Sequence, residues 1–432
     1  LPPKHTIQEL APDYVKVYES PDPEHIYAYS PGIAVLPGGR FIATLDLSGP
    51  GIGNIPGPKR IIEWGRLWFG KVFASDDGGL TWSHKTDFPF MHARPFVAGN
   101  DLYVIGHCND LMIMRSGDGG ESWGEPVRLT EGQVWHQAPC NVHYAKGNVY
   151  LVMERITYPG VKELRTHRMA PVLLRGSLSA DLTRRESWTF ASELTMQEAL
   201  SGKECDLFGV PFFPEKRLDS PASAVQRDPA IPGPKEMYPR GWLESNVVQF
   251  VDDRHYLYDP SGRTFHLWMR SATGGNGFAA IAKAVEQDDG TIVTMLEQAP
   301  SGKTFLYVPC PGGQMKFHLL YDRVTALYWL LSTQATDSMT RAEKLPPERS
   351  GNPNNERRRL QLHFSTNCVD WCFAGLVAKT NMPNAARHYA SMAIYGEDLL
   401  ILSRSGDERA ANPHDGNLIT FHRIEQFREL VY

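Results

Sequence analysis

Cysteine is scarce in this 432-residue chain: Cys108, Cys140, Cys205, Cys310, Cys368 and Cys372, with no CxxC pair among them. That excludes a dense disulfide scaffold. With no helical His-x-x-x-His spacing either, no catalytic metal site and no cofactor are indicated. Cys368 and Cys372 flank a turn, so a local disulfide stands beside the plainer reading of buried free thiols. An excess of basic charge is also missing. The formal net charge is -5 and no basic run occurs, so neither nucleic acid nor an acidic membrane is a favoured partner. No apolar run reaches the roughly 18 residues needed to span a bilayer. Helical periodicity is scarce throughout. The first residue is Leu1 rather than Met, which leads us to expect a removed leader and a periplasmic or secreted protein.

What the sequence does contain is a repeat. Residues 75–82 read SDDGGLTW and residues 116–123 read SGDGGESW. Both fit S-x-D-x-G-x-[ST]-W, the Asp-box turn. Its Asp caps turn amides, its Gly takes positive φ, and its Trp begins the next strand and packs between sheets. Two copies roughly 40 residues apart, each between strands, mark a repeat architecture. Degenerate copies follow at 177–188 (SLSADLTRRESW) and 365–371 (STNCVDW), the latter with Asp370 displaced toward Trp371.

Around these turns, paired apolar strands recur. They are 30–46, 93–107, 136–155, 243–250 with 265–271, 315–332 and 389–405. Each reads as the inner hairpin of a propeller blade. The expectation is therefore all-β: one β-propeller domain over residues 1–432, six blades countable. The last blade lacks an outer strand, and residues 14–20 (YVKVYES) are placed to supply it, leaving no free sheet edge. Residues 195–240 hold seven prolines and no alternation. They read as a long inter-blade insertion, ordered over one face because Phe208, Phe212 and Phe213 need burial.

Propeller topology gathers the start of each innermost strand and the end of the second strand at one mouth of the central channel. The residues there are His25, Tyr29, Asp46, His107, His136, Arg155, Glu244, Arg270, Lys316, His388, Tyr389, Arg404 and His414. This ring is rich in His, Arg and Tyr, where ordinary loop ends would be Gly, Asn and Ser. Convergent polar groups around a concavity are the default binding site. Arginines there suit a carboxylate-bearing ligand. Any one His or Arg at a strand end could equally be structural. Sialidases carry Arg-Ile-Pro at the first inner strand. Here Tyr29-Ser30-Pro31 stands instead, which argues against that activity. The mouth also has too few acids for a paired-carboxylate glycosidase.

The stretches 264–286, 311–341, 354–378 (NNERRRLQLHFSTNCVDWCFAGLVA) and 414–430 resemble gut Bacteroides propellers of glycoside hydrolase family 145, relatives of polysaccharide lyase family 27. The resemblance implies seven blades. It also implies exo-α-L-rhamnosidase action on L-rhamnose-α-1,4-D-glucuronate caps of plant arabinogalactan, with one essential histidine on the face opposite the usual site. Early position matches that histidine to His25, although topology sets His25 at the mouth. Two alternatives stay open. One is β-elimination at the mouth by a uronate lyase, with His107, His136 and Tyr389 exchanging protons and Arg155, Arg270 and Arg404 on the carboxylate. The other is an inactive glycan binder. Glu244, Lys316, His388 and His414 complete the expected substrate-binding set. The expected partner is a uronate-containing plant oligosaccharide or polysaccharide, met by a monomer.

Overall fold

A computed structural model describes residues 7–62, 65–157, 165–200, 205–206, 241–271, 277–338, 340, 344 and 356–432. Among these the only α-helix is Met196–Leu200. Six antiparallel sheets form the body. Blade 1 is Tyr27–Val35, Phe41–Ser48, Leu67–Ser75 and Ser83–Phe88. Blade 2 begins with the hairpin Met91–Ala98 and Asp101–Cys108, and blade 3 is built on Asn148–Ile156 and Met169–Ser177. Blade 4 opens with Trp242–Val248 and Thr264–Ser271, and blade 5 with His318–Asp322 and Leu327–Thr333. Blade 6 is Ala386–Tyr395, Asp398–Gly406 and Leu418–Ile424.

The fourth strand of blade 6 is Val15–Glu19, which pairs antiparallel with Leu418–Ile424, Val15 opposite Phe421. Residues 14–20 thus supply the missing strand. Every neighbouring pair of blades shares an apolar cluster. Ile42, Val72 and Phe88 meet Leu102 and Val104 between blades 1 and 2. Leu400, Leu402 and Ile419 meet Ala28, Phe41 and Leu45 between blades 6 and 1. The ring is therefore sealed with six blades among the described residues, and the seven implied by the family resemblance are not found. A further small sheet, Cys205–Asp206 with Thr304–Phe305 and Glu297–Gln298, lies outside the blades. Phe208, Phe212 and Phe213, with most of the 195–240 insertion, lie outside the described residues.

The turn chemistry follows from the motif. Asp77 accepts hydrogen bonds from the Thr81 N–H (2.9 Å) and hydroxyl (2.6 Å), while Gly79 donates to Ser75 Oγ (2.9 Å). Asp118 does the same for Ser122, its N–H lying at 2.9 Å. Trp82 and Trp123, expected to be buried, are half-buried; each indole donates to a turn carbonyl, of Gly79 and Gly120, at 3.1 Å. In the copy at 365–371 the capping residue is Asn367, which accepts from the N–H groups of Val369 and Asp370. Asp370 only receives the Asn367 amide. Cys368 and Cys372 are free thiols.

Candidate active site

The site grows out of one rung of the inner hairpins. On that rung Tyr29 faces Asp46, Met91 faces His107, His136 faces Glu154, Leu243 faces Arg270 and His388 faces Arg404. In four blades the innermost strand bulges directly after the rung. The bulged residues Ser30, His92, Glu244 and Tyr389 all take left-handed backbone, with φ of 45°, 54°, 58° and 49°. Non-glycine residues avoid that region unless the surroundings force it. A bulge re-aims a side chain that strict alternation would send between blades.

Two of these residues meet. Tyr389 Oη donates to Glu244 Oε1 at 2.7 Å, and Arg270 donates to Glu244 Oε2 at 3.1 Å and to the Tyr389 hydroxyl. Burial alone would raise the Glu244 carboxyl, but Arg270, His136 and the bonds from Tyr389 and Arg270 outweigh it, and Glu244 ends below its ordinary range. Burial lifts the Tyr389 phenol above its ordinary value, against the pull of Arg270 and with the push of Glu244. The resting state is a phenol bonded to a carboxylate.

Three guanidinium groups surround Tyr389: Arg270 at 5.8 Å from the ring centre, Arg357 at 5.5 Å and Arg404 at 5.2 Å. Burial, with Arg404 and Arg270 alongside, pulls Arg357 down to about 9, so it is charged at neutral pH. Its Nη1 meets His388 Nδ1 at 3.0 Å. Arg404 donates to the His414 carbonyl and lies 4.2 Å from the Tyr29 ring centre, while its buried Nε has no hydrogen-bond partner. Among the described residues neither Arg357 nor Arg404 forms an ion pair with a carboxylate. Glu244 is the carboxylate that bears on all three cations, with Asp415 also acting on Arg404, in a buried setting where unpaired charge is costly.

Beside this group stand three histidines. His92 Nδ1 lies 3.0 Å from His107 Nε2, and the His92 and His136 rings are 5.2 Å apart. His92 N–H donates to Asp46 Oδ2 at 2.8 Å. Burial drives the Asp46 carboxyl well above the usual range, although the N–H groups of His92 and Ala93 and the charge of Arg404 oppose it. No group of three or more His, Cys, Asp or Glu able to hold a metal ion occurs among the described residues.

Of the other residues of the expected ring, only His414 touches this cluster, through Arg404. His25 is on the rim, held by Asp22 at 2.9 Å, which raises its pKa. Its carbonyl accepts from Gly51 N–H, so it belongs to the mouth side and not the opposite face, outside the cluster around Tyr389. Arg155 braces its own blade through the carbonyls of Val134 and Ile156. Lys316 is buried inside the channel against Ala390 O and Ser391 Oγ, and burial lowers it to about 8. His414 pairs with Asp415 (2.7 Å), which also accepts from Tyr29 Oη, and the charge of Arg404 holds His414 near 4. His92, Glu154 and Arg357 were not anticipated. His92 precedes the inner-strand pattern by one residue, and Arg357 sits in the run RRR, which reads as a solvated face.

No family model and no curated protein matches this chain. Solved structures do match along nearly its whole length. A Dyadobacter fermentans protein of unknown function aligns with TM-score 0.53 and 12% identity over 97% of this chain and 99% of its own. The Hadza microbial sialidase Hz136 aligns with TM-score 0.53 and 13% identity over 95% and 68%. Trypanosoma rangeli sialidase, in complex with sialic acid, aligns with TM-score 0.50 and 14% identity over 98% and 60%. At these identities the likeness is one of fold: this chain is a β-propeller.

Proposed function

We propose that the protein is a carbohydrate-active enzyme, a glycosidase that releases an acidic sugar at the channel mouth. Arg270, Arg357 and Arg404 bind the sugar carboxylate, Tyr389 is the nucleophile and Glu244 its base. The observation that carries this reading is the phenol–carboxylate pair inside three arginines. Arg270 touches the Tyr389 hydroxyl, so a carboxylate gripped by the arginines sets the phenol oxygen beside the carbon that bears it. In ketosidic acid sugars that carbon is the anomeric one. A neutral phenol approaches it without the repulsion a carboxylate nucleophile would meet, and gives its proton to Glu244 as it attacks. Tyrosine is a known alternative to a carboxylate nucleophile. The Arg-Ile-Pro arginine is missing, but Arg404 reaches across the Tyr29 ring from blade 6 and brings a guanidinium to that side.

The histidine trio favours one second reading, β-elimination. In a hexuronate the carbon next to the carboxylate is C5, and a base at Tyr389 or a histidine would remove its proton. The rhamnosyl-glucuronate expected from the sequence resemblance would use the site in this way. Hydrolysis of its rhamnosyl bond would act several bonds away from the carboxylate. The test is incubation with sialyl oligosaccharides and with gum arabic. Free acidic sugar without new absorbance supports hydrolysis. A product absorbing near ~230–235 nm supports elimination, since proton abstraction sets the two apart. Calorimetric binding without product would leave a glycan binder.

A further inference from the structure

Glu154 is fully buried in the Asn148–Ile156 strand of blade 3, directly across the ladder from His136 on the short inner strand Trp135–His136. One of its oxygens lies 3.3 Å from His136 Nδ1. The other accepts from both the N–H and the hydroxyl of Ser245, each at 3.0 Å. Ser245 follows Glu244, the bulged residue that pairs with Tyr389. A single carboxylate thus ties a histidine on blade 3 to the strained turn on blade 4 that aims the base. His136 is near enough for its charge to bear on Glu244.

Resting on the hydrolytic reading above, we infer that His136 is the proton donor to the departing glycosidic oxygen, and that Glu154 is its positioning residue. The Glu154 carboxylate keeps the proton on Nδ1, so the proton that moves is the one on Nε2. As the glycosidic C–O bond breaks, Nε2 gives its proton to the leaving oxygen, while Tyr389 Oη bonds to the anomeric carbon and its proton passes to Glu244. In the second half, water attacks that carbon and loses a proton to Nε2. Tyr389 then departs and takes its proton back from Glu244. A histidine held by a buried carboxylate in this way gives and takes at one nitrogen.

The test compares two substrates of the same acidic sugar: a sialyl oligosaccharide, whose alkoxide leaving group needs a proton, and the 4-nitrophenyl glycoside, whose leaving group does not. The variants are Glu154→Gln and His136→Gln. In the first, the glutamine oxygen can still accept from Ser245, but its amide faces Nδ1 and imposes the other tautomer. We expect kcat on the oligosaccharide to fall about 10²–10³-fold in both variants, with less than about a tenfold fall on the nitrophenyl glycoside and KM little changed. The double variant should be no worse than His136→Gln alone. Equal losses on the two substrates, or no loss on the oligosaccharide in folded protein, overturn the inference while leaving the hydrolytic reading intact. No turnover of either substrate by the wild type overturns both.

Discussion

The two ends of the channel are made by the same strands, yet they use left-handed backbone in opposite ways. At the two intact Asp-box turns the positive-φ positions are glycines, Gly78, Gly79, Gly119 and Gly120, while the degenerate copy at 365–371 uses Cys368. There the chain only has to reverse. At the mouth they are Ser30, His92, Glu244 and Tyr389, where glycine would be easier but would carry no side chain. Left-handed geometry costs a non-glycine residue roughly 1–2 kcal/mol, so the mouth trades stability for aim. One carboxylate from each end differs as well, although Glu244 at the mouth is, despite its burial, held low by Arg270 and its neighbours. Burial raises Asp46, whereas exposed Asp77, bonded to the Thr81 hydroxyl and turn amides, is held down at about 2.

The sharpest break of this contrast is Tyr389→Phe. It keeps the backbone and the ring among the arginines but removes the reacting oxygen, and kcat should fall by at least ~10³-fold with a native thermal midpoint. Arg404→Lys comes next. It keeps the charge but loses the planar fork, so affinity for a carboxylate sugar, read by calorimetry, should weaken by about 10- to 100-fold. At the other end, Gly79→Ala should leave turnover per folded molecule unchanged. Its Cβ would run into the Phe421 ring at φ +95°, and we expect about 2–3 kcal/mol of destabilisation by urea titration. Acid should act on this end as well. The depressed pKa of Asp77 contributes stability fully above its unfolded value near 4 and loses it as pH falls toward 2. The thermal midpoint should therefore drop across that window, and less so in Asp77→Asn. The smallest effect is expected from Ser30→Gly, a gain of up to about 1 kcal/mol without change in kcat.

The same contrast explains what the sequence revealed. The Asp-box turns could be read because side-chain hydrogen bonding and glycine conformation are local, and six blades could be counted because apolar hairpins are local too. Even the closing strand at 14–20 followed from an apolar pattern lacking a partner. Of the residues gathered at the mouth from the sequence, Glu244, Arg270, Tyr389 and Arg404 lie together in the structure, as do His107 and His136. What could not be read was the bulge. A one-residue slip turns side chains to the other face, and nothing in MHARP or RHYAS announces one, so His92 fell outside the hairpin. Arg357 was hidden for another reason, since a run of three arginines looks solvated until a fold buries one. His25 was matched by position in the chain alone, and it sits on the rim outside the cluster around Tyr389.

The pairing of Val15–Glu19 with Leu418–Ile424 has a consequence for how the molecule is made. During synthesis the closing strand emerges ahead of all six blades and its partner after the other five, so it must wait for the rest of the ring. Until then the ring is an open arc with two unpaired edges, and such edges invite association with other chains. Tyr29 on blade 1 comes to rest against Arg404 on blade 6 only when that seam closes. The proposed site is thus assembled only once the seam closes, and on the proposed reading an arc that never closes would be inert.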